Sequence, residues 1–145
     1  MEISLKKLKG TPVCFENKSE PWGIVSDVVF DYKQKKVVAL QVKTLSLIPI
    51  CNIVSLNAAK GLFNKKIILK NDRNLNNFLK ENIESTTFNQ VFDSYLKKRK
   101  IKDVHFDFET GTLCDIVISK NIISGNQKIS INKISLKDNT IYIEN

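Results

Sequence analysis

The stretch DVVFDYK begins at Asp27, and DVHFDFE begins at Asp103, 76 positions later. In the first, Val28, Phe30 and Tyr32 alternate with Asp27, Val29 and Asp31; in the second, Val104, Phe106 and Phe108 alternate with Asp103, His105 and Asp107. Successive strand side chains point to opposite faces, so each stretch reads as a strand with one apolar and one mostly polar face, in a common register. At the same offset, Val38, Leu40 and Val42 correspond to Cys114, Ile116 and Ile118, again at period two. The intervening segments, YKQKKV and FETGTL, have the length of a tight hairpin turn. Gly111 suits a positive-φ position in that turn. The matching Lys35 would carry about 1 kcal/mol of strain in the same backbone, so the first hairpin is expected to be the weaker.

The echo extends to other elements. IPICNIVSL (48–56) pairs with KISINKISL (128–136) after a shift of about four residues, and TPVCFE (11–16) with FNQVFDS (88–94). Each half ends in a turn and a last strand, KGLFNKKIIL and DNTIYIEN. About five short strands in the same order, twice, is the spacing of a small barrel or a strongly curled sheet. Between the halves, Leu75, Phe78, Leu79 and Ile83 recur at near-helical spacing behind a capping Asn71 or Asp72. The expected architecture is all-β, two small barrels in tandem in mutual contact, over 1–70 and 86–145, joined by a short helical connector over 71–85. A chain of 145 residues is long enough for one domain or two very small ones.

Composition narrows the function. No apolar run approaches the roughly 18–20 residues of a membrane span, and MEISLKKLKG has no hydrophobic signal core. Cytoplasmic residence is expected. Cys14, Cys51 and Cys114 have no zinc-site spacing and lie among apolar residues, so they are expected to be small core side chains. Net charge is +8, and residues 1–82 hold 14 Lys/Arg against 7 Asp/Glu. The basic excess is almost all lysine, which argues against base-specific nucleic-acid recognition, for which arginine is preferred.

Chemistry is scarce. Asp103, His105 and Asp107 share a strand face and are ligand types for zinc or iron, but the aspartates lie about 13 Å apart along a strand rising ~3.3 Å per residue. The first copy keeps both aspartates and has Val29 in place of the histidine, which points to an architectural role in satisfying turn amides. No metal site and no cofactor are expected. There is no phosphate loop, nucleophile elbow or HExxH motif, so no catalytic residue is expected and the chain reads as a non-enzyme. Trp22, in EPWG, is expected to pack across a barrel mouth, with a partner anchor as the alternative. TLSLIPI (44–50) is expected to be buried against the second barrel, with capping of the first as the alternative; an exposed version would mark a partner or dimer face. KKRK (97–100) is expected to be a solvated turn.

The run LKGTPVCFENKSEPWGIVSDVVFDYKQKKVVALQV resembles the start of a PRC-barrel domain. The likeness is carried by Gly10, Pro12, Val13, Gly23, Val25, Asp27, Val28, Phe30 and Asp31, then Val38, Leu40 and Val42. Ile48, Pro49, Ile53 or Val54, and Ser55 match the family's following strand. The second copy resembles the pattern through Ile101, Asp103, Val104, Phe106, Asp107, Gly111 and Ile116, but has Arg99 where Gly23 stands and lacks the proline. The resemblance implies docking onto protein or ribonucleoprotein partners and no common enzymatic activity. It implies a protein-interaction or scaffolding module in a bacterial process such as sporulation, with a protein partner and a homodimer among the arrangements. The alternative is an accessory RNA- or ribosome-binding factor using the basic N-terminal barrel through Lys6, Lys7, Lys9, Lys33, Lys35 and Lys36.

Overall fold

The structure, a computed structural model, describes residues 1–31, 34–70, 85–87, 101–119, 125–137 and 140–143. Residues 71–84 of the expected helical connector over 71–85, the strand at 88–94, the KKRK turn, Tyr32 and Lys33 lie outside them, while Ser85 belongs to a strand. The strands are β1 (Glu2–Ser4), β2 (Pro12–Phe15), β3 (Gly23–Asp31), β4 (Lys36–Thr44), β5 (Cys51–Ser55), β6 (Ala59–Phe63), β7 (Lys66–Leu69), β8 (Ser85–Thr87), β9 (Ile101–Asp107), β10 (Leu113–Ser119), β11 (Asn126–Ser130), β12 (Ile134–Lys137) and β13 (Thr140–Ile143). Among the described residues one helical turn, α1 (Leu5–Leu8), and two 3-10 turns, Leu56–Ala58 and Ile131–Lys133, interrupt them. The protein is all-β, as the alternation predicts.

The two hairpins are built alike. β3 pairs with β4 through Val25↔Val42, Asp27↔Gln41, Val28↔Leu40, Val29↔Ala39 and Phe30↔Val37. β9 pairs with β10 through Ile101↔Ile118, Asp103↔Val117, Val104↔Ile116, His105↔Asp115 and Phe106↔Leu113. Every pair repeats at the 76-residue offset, and so do the two register shifts in each ladder. A bulge places two residues opposite one and resets the alternation. The inward residues of β4 and β10 are therefore Val37 and Leu113 ahead of the bulge and Leu40, Val42, Ile116 and Ile118 beyond it, all buried. Uninterrupted alternation fails at Val38 and Cys114, which are only partly buried.

Phe30 and Phe106 are buried, as their register predicts. The polar face differs between the two hairpins. Asp103, His105 and Asp107 are partly exposed, whereas Asp27, Val29 and Asp31 are buried, so β3 is covered on both faces. Gly23 has a packing reason: a Cβ there would lie 2.6 Å from the carbonyl oxygen of Lys43.

The later strands also correspond, with a different alignment from the expected one. Ser55 and Ser130 each cap a 3-10 turn, their Oγ atoms accepting from the N–H of Asn57 at 3.3 Å and of Asn132 at 3.4 Å. Residues 51–59 thus match 126–134, not 48–56 with 128–136. IVSL and KISL are alike in hydrophobic pattern alone; the shared structural feature is a hydroxyl two residues before an asparagine amide.

The halves exchange their leading strands. β1, which precedes the first hairpin, pairs antiparallel with β9 of the second, Ile3 opposite Phe106. β8, ahead of the second hairpin, pairs antiparallel with β3 of the first, Thr86 opposite Phe30. Between the hairpin turns, Val37 N–H donates to Gly111 O at 2.7 Å and Leu113 N–H donates to Lys35 O at 3.2 Å, around a bridge between Lys36 and Thr112. These two bonds interconvert under the same offset, so they mark a local pseudo-two-fold axis.

The described residues do not form the expected closed barrels. Among the described residues the ladders are open, in the orders β5-β4-β3-β2-β7-β6 and β1-β9-β10-β11, with β12 and β13 apart. The first strand of the chain is spent on the other half, and β5 and β6 are left as edges. Side chains from both halves nevertheless share one buried cluster, from Leu5, Leu8, Val28 and Phe30 to Val104, Phe106, Leu113 and Ile134. Burying each large side chain is worth roughly 1.5–3 kcal/mol.

Candidate functional site

The aspartates singled out in the sequence hold backbone. Asp103 Oδ1 accepts from Val104 N–H at 2.8 Å and from Lys6 N–H at 2.9 Å, so it caps α1 of the other half. Asp27 Oδ1 likewise accepts from Val28 N–H at 2.8 Å. Asp107 Oδ1 takes the N–H groups of Glu109 and Thr110 at 2.9 and 3.0 Å, while its Oδ2 meets the N-terminal ammonium at 3.0 Å. Those amides, led by Thr110, and the ammonium hold the Asp107 carboxyl down at about 2, and the same contact raises the pKa of the terminal amine. Gln34 N–H repeats the turn contact on Asp31 at 3.2 Å.

His105 does not join these aspartates. Its Nδ1 lies 2.6 Å from Oδ1 of Asp115, directly across the β9–β10 ladder. Oδ2 of Asp115 lies 3.4 Å from Lys128 Nζ on β11. From the other side, Glu2 on β1 brings a carboxylate to the same place, and one ligand atom each of Glu2, His105 and Asp115 lie within 4.8 Å of one another. A row of ionisable groups therefore crosses β1, β9, β10 and β11. Sequence reading missed it because Glu2 is over a hundred positions from His105. The visible signal was Asp115 itself, an acid inside the apolar run LCDIVIS.

The second surface is apolar. The loop between β4 and β5 exposes Leu45 at 58%, Leu47 at 103%, Ile48 at 79% and Ile50 at 60%. Burial of 44–50 against the second half, as expected, does not occur. The loop folds on itself instead: Thr44 N–H donates to Ile50 O at 2.9 Å, Ile50 N–H donates to Thr44 Oγ1 at 2.9 Å, and Ser46 Oγ donates to Ile48 O at 2.8 Å. With these polar groups satisfied internally, the aliphatic side chains are left outside. From Thr44 to Ala59, sixteen residues, the chain carries no charge, which is the sequence signal for such a face. β5 adjoins the loop as a sheet edge with no lysine or glutamate to guard it.

Trp22 supports this loop. Its carbonyl accepts from Leu45 N–H at 3.0 Å, and its half-buried ring sits 5.2 Å from that of Phe15. Trp22 packs on Phe15 and against the buried cluster, but not across a barrel mouth, since the ladders of the described residues do not close. The basic residues divide. Lys6, Lys7 and Lys9 are exposed around α1, near Val25, whereas Lys35 and Lys36 are half-buried in the turn beyond Asp31. Six strand residues, about 20 Å, separate the groups along β3, so they do not form one patch. The expectation of core cysteines holds for Cys14, but Cys51 is exposed and Cys114 half-buried at the bulge. Burial, aided by Glu2 and Asp115, pushes the Cys114 thiol up, away from the reactive thiolate. Among the described residues no helix is long and apolar enough to cross a membrane.

The model of the PRC-barrel domain family matches residues 1–73. No curated protein matches the chain.

Proposed function

Because this chain belongs to the PRC-barrel family, we propose that it is a non-catalytic protein-interaction module, and that its second half is a diverged copy of the first. The copy reading is supported by the shared register, the shared bulges and the exchanged leading strands. The interaction reading is carried by the aliphatic face of Leu45, Leu47, Ile48 and Ile50 on an internally hydrogen-bonded loop. Water around such a patch is released when a partner covers it, and a preformed loop loses little conformational freedom on docking. On the resemblance alone, we assign the protein to the cytoplasm and to a bacterial process such as sporulation.

The test is affinity capture from the native host with the wild-type chain and with Leu47→Ser/Ile48→Ser. Both side chains are exposed, so the double variant should keep the wild-type urea midpoint while losing the recovered partner. A partner retained by the double variant, or none recovered repeatedly by the wild type, overturns the reading. Among the described residues the lysines of the RNA-binding alternative fall into two separate groups, Lys6, Lys7 and Lys9 around α1 and Lys35 and Lys36 at the turn. That alternative requires retention of RNA at about 50 mM salt that falls steeply as salt rises.

A further inference from the structure

We propose that Glu2, His105 and Asp115 form a divalent-cation site, of the type that holds Zn²⁺, which clips the exchanged N-terminal strand onto the second hairpin. The donor set is one imidazole nitrogen and two carboxylate oxygens, a combination suited to zinc with water in the remaining position. Its three donors come from three neighbouring strands, with one ligand atom of each already within 4.8 Å of the others. Tetrahedral bonds of about 2.0–2.1 Å put ligand atoms roughly 3.3 Å apart. The 2.6 Å contact between His105 and Asp115 must open by about 0.7 Å as the ion replaces the proton between them. Glu2 is exposed and can swing inward.

A second observation separates these residues from the needs of the fold. In the first hairpin, in the same register, Val29 stands at the position of His105 and Ala39 at that of Asp115. The ladder forms there with the same bulges and no polar group, so the second hairpin does not need the pair for its construction. Nor does Asp115 give up its other contact: Oδ1 faces His105 and Oδ2 remains with Lys128, which orients the carboxylate from outside. The graded burial, with Asp115 buried, His105 half-buried and Glu2 exposed, leaves an entry path from solvent closed last by Glu2.

The consequence is mechanical. β1 is held by only three residue pairs with β9. An ion bound by Glu2, on β1, and by His105 and Asp115 ties that strand across β9 and β10, so occupancy strengthens the link between the halves.

Titration calorimetry of the full chain with ZnCl2, carrying no polyhistidine tag and a free N-terminus, tests this. Saturable binding of one ion per chain is expected, with an unfolding midpoint that rises with free Zn²⁺. Glu2→Gln should weaken binding by about tenfold or more while leaving the metal-free midpoint unchanged. His105→Val, which copies the first hairpin, should abolish it. Absence of saturable binding overturns the proposal. So does binding that survives both substitutions, or that is lost instead when the exposed Cys51 is changed to Ser. Should His105→Val fail to fold, the exposed Glu2→Gln decides the matter alone.

Discussion

Gly111 and Lys35 occupy equivalent positions in two hairpin turns of matching register, and substitutions at them should have opposite signs. Both have left-handed backbone, with φ of +80° at Gly111 and +52° at Lys35. In Gly111→Ala, the left-handed conformation costs about 1 kcal/mol or more. The new Cβ would also stand 2.0 Å from the carbonyl oxygen of Val37, where ordinary contact begins near 3.4 Å. The turns must separate by more than an ångström, which breaks the 2.7 Å bond from Val37 N–H to Gly111 O. That bond is worth about 1 kcal/mol, and Val37 is buried beside it. The total loss is about 3 kcal/mol. Lys35→Gly removes about 1–2 kcal/mol of strain and returns about 0.4–1 to the unfolded chain, for a net gain near 0.5 kcal/mol. The longer bond on the lysine side, 3.2 Å from Leu113 N–H to Lys35 O, fits the same asymmetry. Urea unfolding followed by the fluorescence of Trp22 reads both, with the alanine variant losing about 1.5–2 M in midpoint at a slope of about 1.5–2 kcal/mol per M. A loss under 1 kcal/mol in Gly111→Ala, or destabilisation by Lys35→Gly of the same size, would refute the shared turn geometry.

Two further perturbations probe the fold. Phe30→Ala and Phe106→Ala should each cost about 3–5 kcal/mol in the same urea assay, and a loss below 1 kcal/mol at either contradicts the common inward register. Asp107 has its folded pKa depressed from 3.8 to about 2, so its contribution is present above about 4 and is lost as pH falls through that window. Asp107→Asn should lower the urea midpoint at neutral pH and flatten its decline between about pH 4 and 2; an unchanged acid slope would show that the turn and terminal amine do not depend on the carboxylate. The terminal amine is shifted upward, so its share is intact below its ordinary value of 8.0 and is lost as pH rises past the raised one.

Much of the construction was legible because it is local. Phe30, Phe106, Val28 and Val104 follow from alternation, and Gly111 follows from turn chemistry. The bulges were not legible. Val38 and Cys114 look like every other apolar residue in their strands, and a ladder offset leaves no mark in composition. Burial of 44–50 was the wrong inference because hydrophobicity says that a segment prefers cover, not that this chain supplies it. The hydroxyls of Thr44 and Ser46 close the loop on itself through contacts that depend on its folded path.

The sequence by itself determined the strand period, the two matching hairpins with their turns, and the aspartates that serve backbone amides in both hairpins. Each depends on residues a few positions apart, where covalent geometry and side-chain alternation are decisive. Tertiary structure alone decided which strand each leading segment joins, that the ladders stay open, and that Glu2, His105 and Asp115 meet. Pairing across a hundred residues is selected by the total burial and hydrogen bonding of the whole chain, which no short window of sequence contains.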